Sequence, residues 1–457
     1  MIFEIEKLAE KFGERTAYIS DGEHADFAEL FDRAQKTAAK ISGGDNSPVV
    51  VLGSRSTEMM AAILGCIIAK RAYVPIDSSM PEERKDKIIA ASGAGIIIDC
   101  GGKNAVIRRT ENSAQNSGEN DTAYIIFTSG STGEPKGVPI SYENLDNFIG
   151  WITSLEPLNE FEHARVLNHA AFSFDLSTAA IFLAIFGGHA IVQLEGTENL
   201  ESVFNTISEN KTEIIVATPT FLRLCLIDKE FCGTKFPFIK CVYFCGEPLQ
   251  KSLCKGIFER FPDIRIINAY GPTEATSAVC AIEITKESLE HEEILPCGKI
   301  SSAAAEIVIE DDEIVLKGKS VFGGYLGGAA GGHYIEGETH CYRTGDVGFI
   351  KDGKLYCRGR RDGQIKYKGY RIELSDIEAN IAAIEGVENC AVIAKRNAEG
   401  ETRLIKAFVT GGASDLSIRE KLHEKLPEYM IPKAIKMLEK MPVNQNGKID
   451  RKKLETL

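Results

Sequence analysis

Much of the chain between Val49 and Tyr270 alternates short β-rich runs with helical stretches. VVVL (49–52), GIIID (95–99), YIIF (124–127), HAIVQL (189–194), EIIVA (213–217), KCVYF (240–244) and RIINAY (265–270) read as strands. Between them TEMMAAILGCIIAK (57–70), FLRLCLI and LQKSLCKGIFERF read as helices, and Ser141 opens another, SYENLDNFIGWI. This is the rhythm of parallel sheets with crossover helices. The polar segment 101–121 has no periodicity and is expected to be a surface excursion. The N-terminal MIFEIEKLAEKFGERTAY has the pattern of an amphipathic helix.

After residue 300 the period shortens. EIVIEDDEIVLKG and GFIKDGKLYCRG alternate around Gly turns, with Asp352-Gly353 a hairpin turn, and predict a small β-rich subdomain. The C-terminal stretch reads as a compact α+β module. In it, Ser375-Asp-Ile-Glu378 matches a capping box before a helix carrying Ile377, Ile381 and Ile384 on one face. Strands CAVIAK and RLIKAFV follow, then a helix near 417–426 and a Lys-rich tail.

A length of 457 residues calls for two or three domains. Charge places one boundary. From Asp362 onward there are 17 Lys and Arg against 15 Asp and Glu, which leaves 36 against 51 for the remainder. The expected organisation is therefore a large N-terminal domain, 1–361, of α/β subdomains plus the β-rich one. A mobile α+β C-terminal domain, 362–457, completes it. The overall net charge of −13 argues against non-specific nucleic-acid binding. No apolar run reaches the roughly 20 residues that span a bilayer, so no membrane insertion is expected. Twelve cysteines without a C-x-x-C pair point to reduced, buried thiols in a cytoplasmic protein.

The candidate chemistry begins where YIIF empties into Thr128-Ser-Gly-Ser-Thr-Gly-Glu-Pro-Lys-Gly137. Hydroxyls, bare backbone N–H groups and a cation in one loop are what a polyphosphate needs. The loop is not a Walker P-loop: five residues on from Gly130 stands Pro135, and Lys136 precedes Gly137. Asn268-Ala-Tyr-Gly-Pro-Thr-Glu274 offers an amide, a ring and a carboxylate able to hold a hard cation, although alone it reads equally well as a β-turn. Tyr342-Arg-Thr-Gly-Asp346 presents a carboxylate suited to a ribose diol. Gly359 to Glu373 is a basic, Gly-punctuated hinge, and Asn444-Gln-Asn-Gly-Lys448 is a tight turn carrying a lysine that alone would be an ordinary surface residue.

Taken in this order, TSGSTGEPKG, AYGPTEAT, YRTGDVG, GRRDGQIKYKGYRIEL and PVNQNGKIDRKKL resemble the adenylate-forming superfamily over nearly the whole chain. They fit its amino-acid-activating branch. Arg71 stands in AYVPID where that branch usually has Gly, and the early motif DFAEL is degenerate. The resemblance implies a ligase that joins a carboxylate to ATP, giving an acyl-adenylate and pyrophosphate, and then passes the acyl group to a thiol. It implies that Thr128, Ser129, Gly130, Ser131, Thr132, Gly133 and Lys136 cover the β- and γ-phosphates, and that Glu274 supports Mg²⁺. Tyr270 would stack on adenine, with Gly246, Glu247, Asn268, Ala269, Gly271 and Thr273 around the nucleotide. Asp346 would bind the ribose hydroxyls, with Arg360 nearby. Lys448 would bridge the substrate carboxylate and the α-phosphate, and Asp362 falls at the family's hinge.

Phe174-Asp-Leu-Ser177 addresses the substrate. In the amino-acid branch an Asp at this place pairs with the substrate ammonium, and a carboxylate in so apolar a stretch calls for a cation. The competing reading is an N-cap for a helix starting at Ser177. By resemblance Leu176, Ala179, Val216, Tyr243, Cys245, Ala269, Ser277 and Ala278 complete an uncharged pocket for a small neutral amino acid. YFCGEPL and its flanks look most like the D-alanine:carrier-protein ligases, making D-alanine the expected substrate and another neutral amino acid the alternative. Tyr243 and Ala179 stand where other apolar residues are expected. An acyl-CoA synthetase is the less favoured alternative, opposed by Asp175. The sequence holds no phosphopantetheine attachment segment, so the thiol is expected from a separate phosphopantetheinylated carrier protein.

Overall fold

The computed structural model describes residues 1–20, 22–43, 46–102, 105–110, 121–130, 134–194, 199–329, 331–361, 364–397, 401–442 and 449–457. The chain divides into two compact units. One comprises Met1–Ser78, Ser92–Ile126 and Gly137–Gly359; the other comprises Ser79–Ala91, Phe127–Lys136 and Arg360–Leu457.

The first unit is built on an eight-stranded sheet. Its order is Cys280–Ile284, Arg265–Tyr270, Cys241–Phe244, Ile214–Ala217, Arg165–Asn168, Ala190–Gln193, Thr16–Ser20 and Glu23–Asp26. The six inner strands run parallel and the two edge strands antiparallel. The parallel strands are apolar at nearly every position because both faces are covered. Val216, Cys241, Tyr243 and Ile267 enter one hydrophobic core, while Ile215, Ala217, Val242, Phe244 and Ile266 enter another. A six-stranded sheet, in the order Val106–Arg109, Ile96–Asp99, Val49–Gly53, Tyr73–Asp77, Thr122–Thr128, Lys136–Ser141, repeats the parallel pattern at its centre. A third sheet holds the hairpin Glu306–Glu310/Glu313–Lys317 and the long strand Thr339–Lys351. Asp352 and Gly353 both take positive φ (51° and 71°) at the turn into Lys354–Arg360, the geometry expected of that dipeptide.

In the second unit, Val387–Arg396, Thr402–Gly411 and Ala434–Met437 form a three-stranded sheet. Helices Leu374–Ala382 and Asp415–Lys425 pack on it around Ile377, Ile381, Ile405, Ile418 and Leu422. Chain-distant pieces join this core through specific polar contacts. Arg84 pairs at 3.5 Å with the fully buried Asp376.

Three expectations need correction. The N-terminal helix is broken into a turn at Ile2–Glu4 and a short helix Lys7–Phe12, because the chain must turn back into the strand Thr16–Ser20. The segment 101–121 contains the edge strand Val106–Arg109, whose exposed side chains carry no alternation to be read. The capping box at Ser375–Glu378 does not form. The helix begins at Leu374 with Glu373 as an N-cap lacking a side-chain bond. Glu378 instead accepts from the Val392 N–H and pairs with Arg451.

Candidate active site

Parallel strands ending side by side leave loops at their carboxyl ends, and ligands of open α/β sheets bind there. In the first unit those ends are Asn168, Ala217, Phe244 and Tyr270, which lead into His169, Thr218, Cys245-Gly246-Glu247 and Gly271. Cys245–Glu247 and the segment from Gly271 onward therefore follow the carboxyl ends of this sheet's strands.

Asp175 lies at the N-cap position of the helix Leu176–Gly187, yet its side chain makes no capping bond. Its Oδ2 accepts instead from Thr273 Oγ1 at 2.6 Å. That contact ties the start of the helix to the loop after the strand Arg265–Tyr270. The next residue, Glu274, is 1% exposed, and its Oε1 accepts from the Tyr325 hydroxyl at 2.6 Å. Tyr325 in turn lies 3.2 Å, hydroxyl to hydroxyl, from Tyr342. Two carboxylates and three hydroxyls thus form a connected series over residues far apart in sequence.

A second pair stands beside it. Tyr270 donates to Asp346 Oδ2 at 2.7 Å, and the Thr344 hydroxyl accepts from the Asp346 N–H. Burial, reinforced by the Asp346 charge, pushes the Tyr270 phenol well above its usual range, so it stays a neutral donor. Thr276 and Ser277, next along the loop, both adopt positive φ, 60° and 71°. This turn brings the Ser277 carbonyl to 3.9 Å from Cys245 Sγ.

Leu176, Ala179, Val216, Tyr243, Cys245, Ala269, Ser277 and Ala278 are all buried, and all but Ser277 belong to one core. Around them the structure uses other side chains differently. The Asn268 amide donates to the Pro296 carbonyl at 2.8 Å, and Glu247 accepts from the Thr220 N–H at 2.9 Å. Gly246 takes φ 93°.

The described residues of the loop expected to cover phosphates belong to the second unit. Thr128 ends its strand, and Lys136 begins the next. The Ser129 hydroxyl donates to the Arg371 carbonyl and accepts from the Glu373 N–H, each at 2.9 Å. Gly130 is buried, and Arg360 is half-buried at the unit's start. Ser131, Thr132, Gly133, Asp362 and Lys448 lie outside the described residues.

Three participants were not foreseen. Tyr325 holds Glu274 and Tyr342 meets Tyr325, but nothing in their spacing links them to that carboxylate. His169 accepts from the Thr218 N–H through Nε2 at 3.2 Å and stacks on Phe221. Burial and the nearby Arg55 guanidinium lower its pKa to about 3, so it is neutral, with its proton on Nδ1. The strand before it, Arg165–Asn168, is half polar, so no pattern in the sequence singled it out.

Residues 5–326 match the AMP-binding enzyme family, and residues 376–448 match the AMP-binding enzyme C-terminal domain. The chain belongs to the AMP-binding enzyme family. Among similar curated proteins is the D-alanine--D-alanyl carrier protein ligase of Bacillus licheniformis, 34% identical, with 100% of this chain and 99% of that protein covered. The namesake from Bacillus cytotoxicus is 32% identical over 99% and 98%. Among solved structures, the Vibrio cholerae adenylation domain AlmE in complex with glycyl-adenosine-5'-phosphate superposes with a TM-score of 0.84. It is 21% identical, and the match covers 99% of this chain and 96% of that one. A double mutant of o-succinylbenzoate CoA synthetase (MenE) from Bacillus subtilis gives 0.82 at 23%, covering 99% and 98%. These superpositions speak to the fold. This AMP-binding enzyme is an adenylate-forming ligase of the amino-acid-activating branch, with a large N-terminal α/β domain and a smaller C-terminal one. Among the described residues no helix is long and apolar enough to cross a membrane.

Proposed function

We propose that this AMP-binding enzyme activates a small neutral amino acid, D-alanine foremost, as its aminoacyl-adenylate. It then transfers the acyl group to the phosphopantetheine thiol of a separate carrier protein in the cytoplasm. The observation that carries this is Asp175, a carboxylate set at the edge of an apolar, buried wall and oriented by Thr273. Such a group suits an ammonium and would repel the tail of a fatty acid or an acidic side chain. The D-alanine preference is supported by the relatives named above and by Cys245 in the same wall.

In the first half-reaction a substrate carboxylate oxygen attacks the α-phosphorus and pyrophosphate leaves. This displacement calls for neutralised charge, not for a covalent protein intermediate. Lys448 takes the transition-state position between carboxylate and α-phosphate. The loop Thr128–Lys136 takes the leaving phosphates. Tyr270 and Asp346, held by their mutual bond, take adenine and ribose. In the second half-reaction the carrier thiolate attacks the acyl carbon and AMP leaves.

Glu274 is the residue that would hold Mg²⁺, which when bound neutralises phosphate oxygens. The fit is good. A single carboxylate fixed by Tyr325 suits an ion whose other ligands are phosphates and water, and the described residues contain no group of three or more His, Cys, Asp or Glu able to hold a metal.

Pyrophosphate exchange with a panel of both enantiomers of alanine and serine, together with fatty acids, tests the reading. D-Alanine is expected to give the highest kcat/KM. A flat amino-acid response combined with fatty-acid activity would overturn it.

A further inference from the structure

Tyr243 sits in the middle of the strand Cys241–Phe244, between Val216 and Ile267 on the neighbouring strands. It shares a face with Cys241 and Cys245, so the side chain enters the core that holds the candidate pocket wall. The residue is wholly buried, and its hydroxyl has no hydrogen-bond partner among the described residues. Phenylalanine would fill the same space without the cost of desolvating a hydroxyl and leaving it unpaired. The orphaned oxygen therefore points to a ligand.

The surroundings narrow the chemistry of that ligand. Burial raises the Tyr243 phenol well above its ordinary pKa, and the neighbouring Cys245, Cys280 and Asp175 add to this. Asp175 raises the Tyr124 phenol in the same way, so its charge reaches both phenols. Yet Asp175 Oδ2 takes its hydrogen bond from Thr273, and Tyr243 donates to none of these groups. A ligand group beside the Asp175 carboxylate has to donate to it, and the Tyr243 phenol oxygen is able to accept from the same group. A carboxylate or phosphate there would be repelled by Asp175, whereas an ammonium brings three N–H groups and a positive charge.

We propose that Tyr243 Oη accepts a hydrogen bond from the ammonium group of the bound amino acid, alongside the Asp175 carboxylate. The inference rests on the amino-acid-activating function above and gives that site a second recognition group. Tyr243 is thereby a substrate-binding residue that sets the preference for an amino acid over its des-amino analogue, whatever the side chain.

The test uses the full chain in pyrophosphate exchange with alanine, serine and propionate, the last being alanine without its ammonium. Tyr243→Phe should raise the KM for alanine and for serine by the same factor, about tenfold or more, with kcat and the KM for ATP near wild type. Activity on propionate should be unchanged, so the alanine-to-propionate preference falls by that factor. The preference is a ratio within each variant and is therefore independent of any change in folded fraction. An unchanged ratio would overturn the proposal, as would a loss confined to serine, which would place the contact at the side chain. A wild type that prefers propionate to every amino acid would instead sink the amino-acid function itself, and this proposal with it.

Discussion

At the scale of single residues, the chemistry is set by what each buried polar group touches. Asp175 shows this most plainly. Its sequence neighbourhood offered two readings, an N-cap or an ammonium partner, and the structure puts it at the cap position while turning its carboxylate toward Thr273. Position alone could not exclude the capping bond, because the hydrogen bond made in its place comes from a residue almost a hundred positions away. His189 supports a separate prediction. Its Nδ1 accepts from the Ala164 N–H, and burial, with His163 close by, lowers its pKa to about 4. The native state refuses a proton that the unfolded chain accepts below about pH 6.5, so stability falls as pH drops from there toward 4. His189→Gln should flatten that slope by at most about 1.4 kcal/mol per pH unit, as read from urea denaturation between roughly pH 5 and 7. An unaltered slope would assign the acid sensitivity to other groups, buried His169 first among them.

At the scale of elements, the apolar runs were legible because parallel strands covered on both faces must be continuously hydrophobic. All seven runs found in the sequence are strands, within a residue or two at each end. Boundaries fared worse where a side chain had a better offer elsewhere. Glu378 leaves the expected capping box because the neighbouring strand provides the Val392 N–H and the terminal helix provides Arg451. The turn after Arg265–Tyr270 is the element on which the site depends most. A Cβ added at Gly271 would stand 2.5 Å from the Ala278 Cα, backbone that cannot yield without moving the Thr276–Ser277 turn. Gly271→Ala should therefore destabilise the chain by about 1–3 kcal/mol. It should also lower kcat/KM, because Thr273 and Glu274 move with the turn. A variant with wild-type stability and exchange activity would show that the close approach is dispensable.

At the scale of the whole molecule, two units with separate hydrophobic cores divide the motifs between them. Lys448→Ala should abolish adenylate formation, measured by pyrophosphate exchange, while the denaturation curve stays that of the wild type. Exchange near the wild-type rate would remove Lys448 from the chemistry. The charge shift read near residue 361 needed only counting, since composition survives without coordinates. That Ser79–Ala91 and Phe127–Lys136 belong with Arg360–Leu457 could not be counted. It follows from a buried Arg84–Asp376 pair and from Ser129 bridging the Arg371 and Glu373 backbone. By itself the sequence determined the fold class and the family, because buried strands and the family's motifs need particular residues at consecutive positions. Only the tertiary structure decided the company each polar group keeps: Thr273 at Asp175, Tyr325 at Glu274, and no partner among the described residues for the Tyr243 hydroxyl. Such pairings depend on strand order and loop path, which no local pattern encodes.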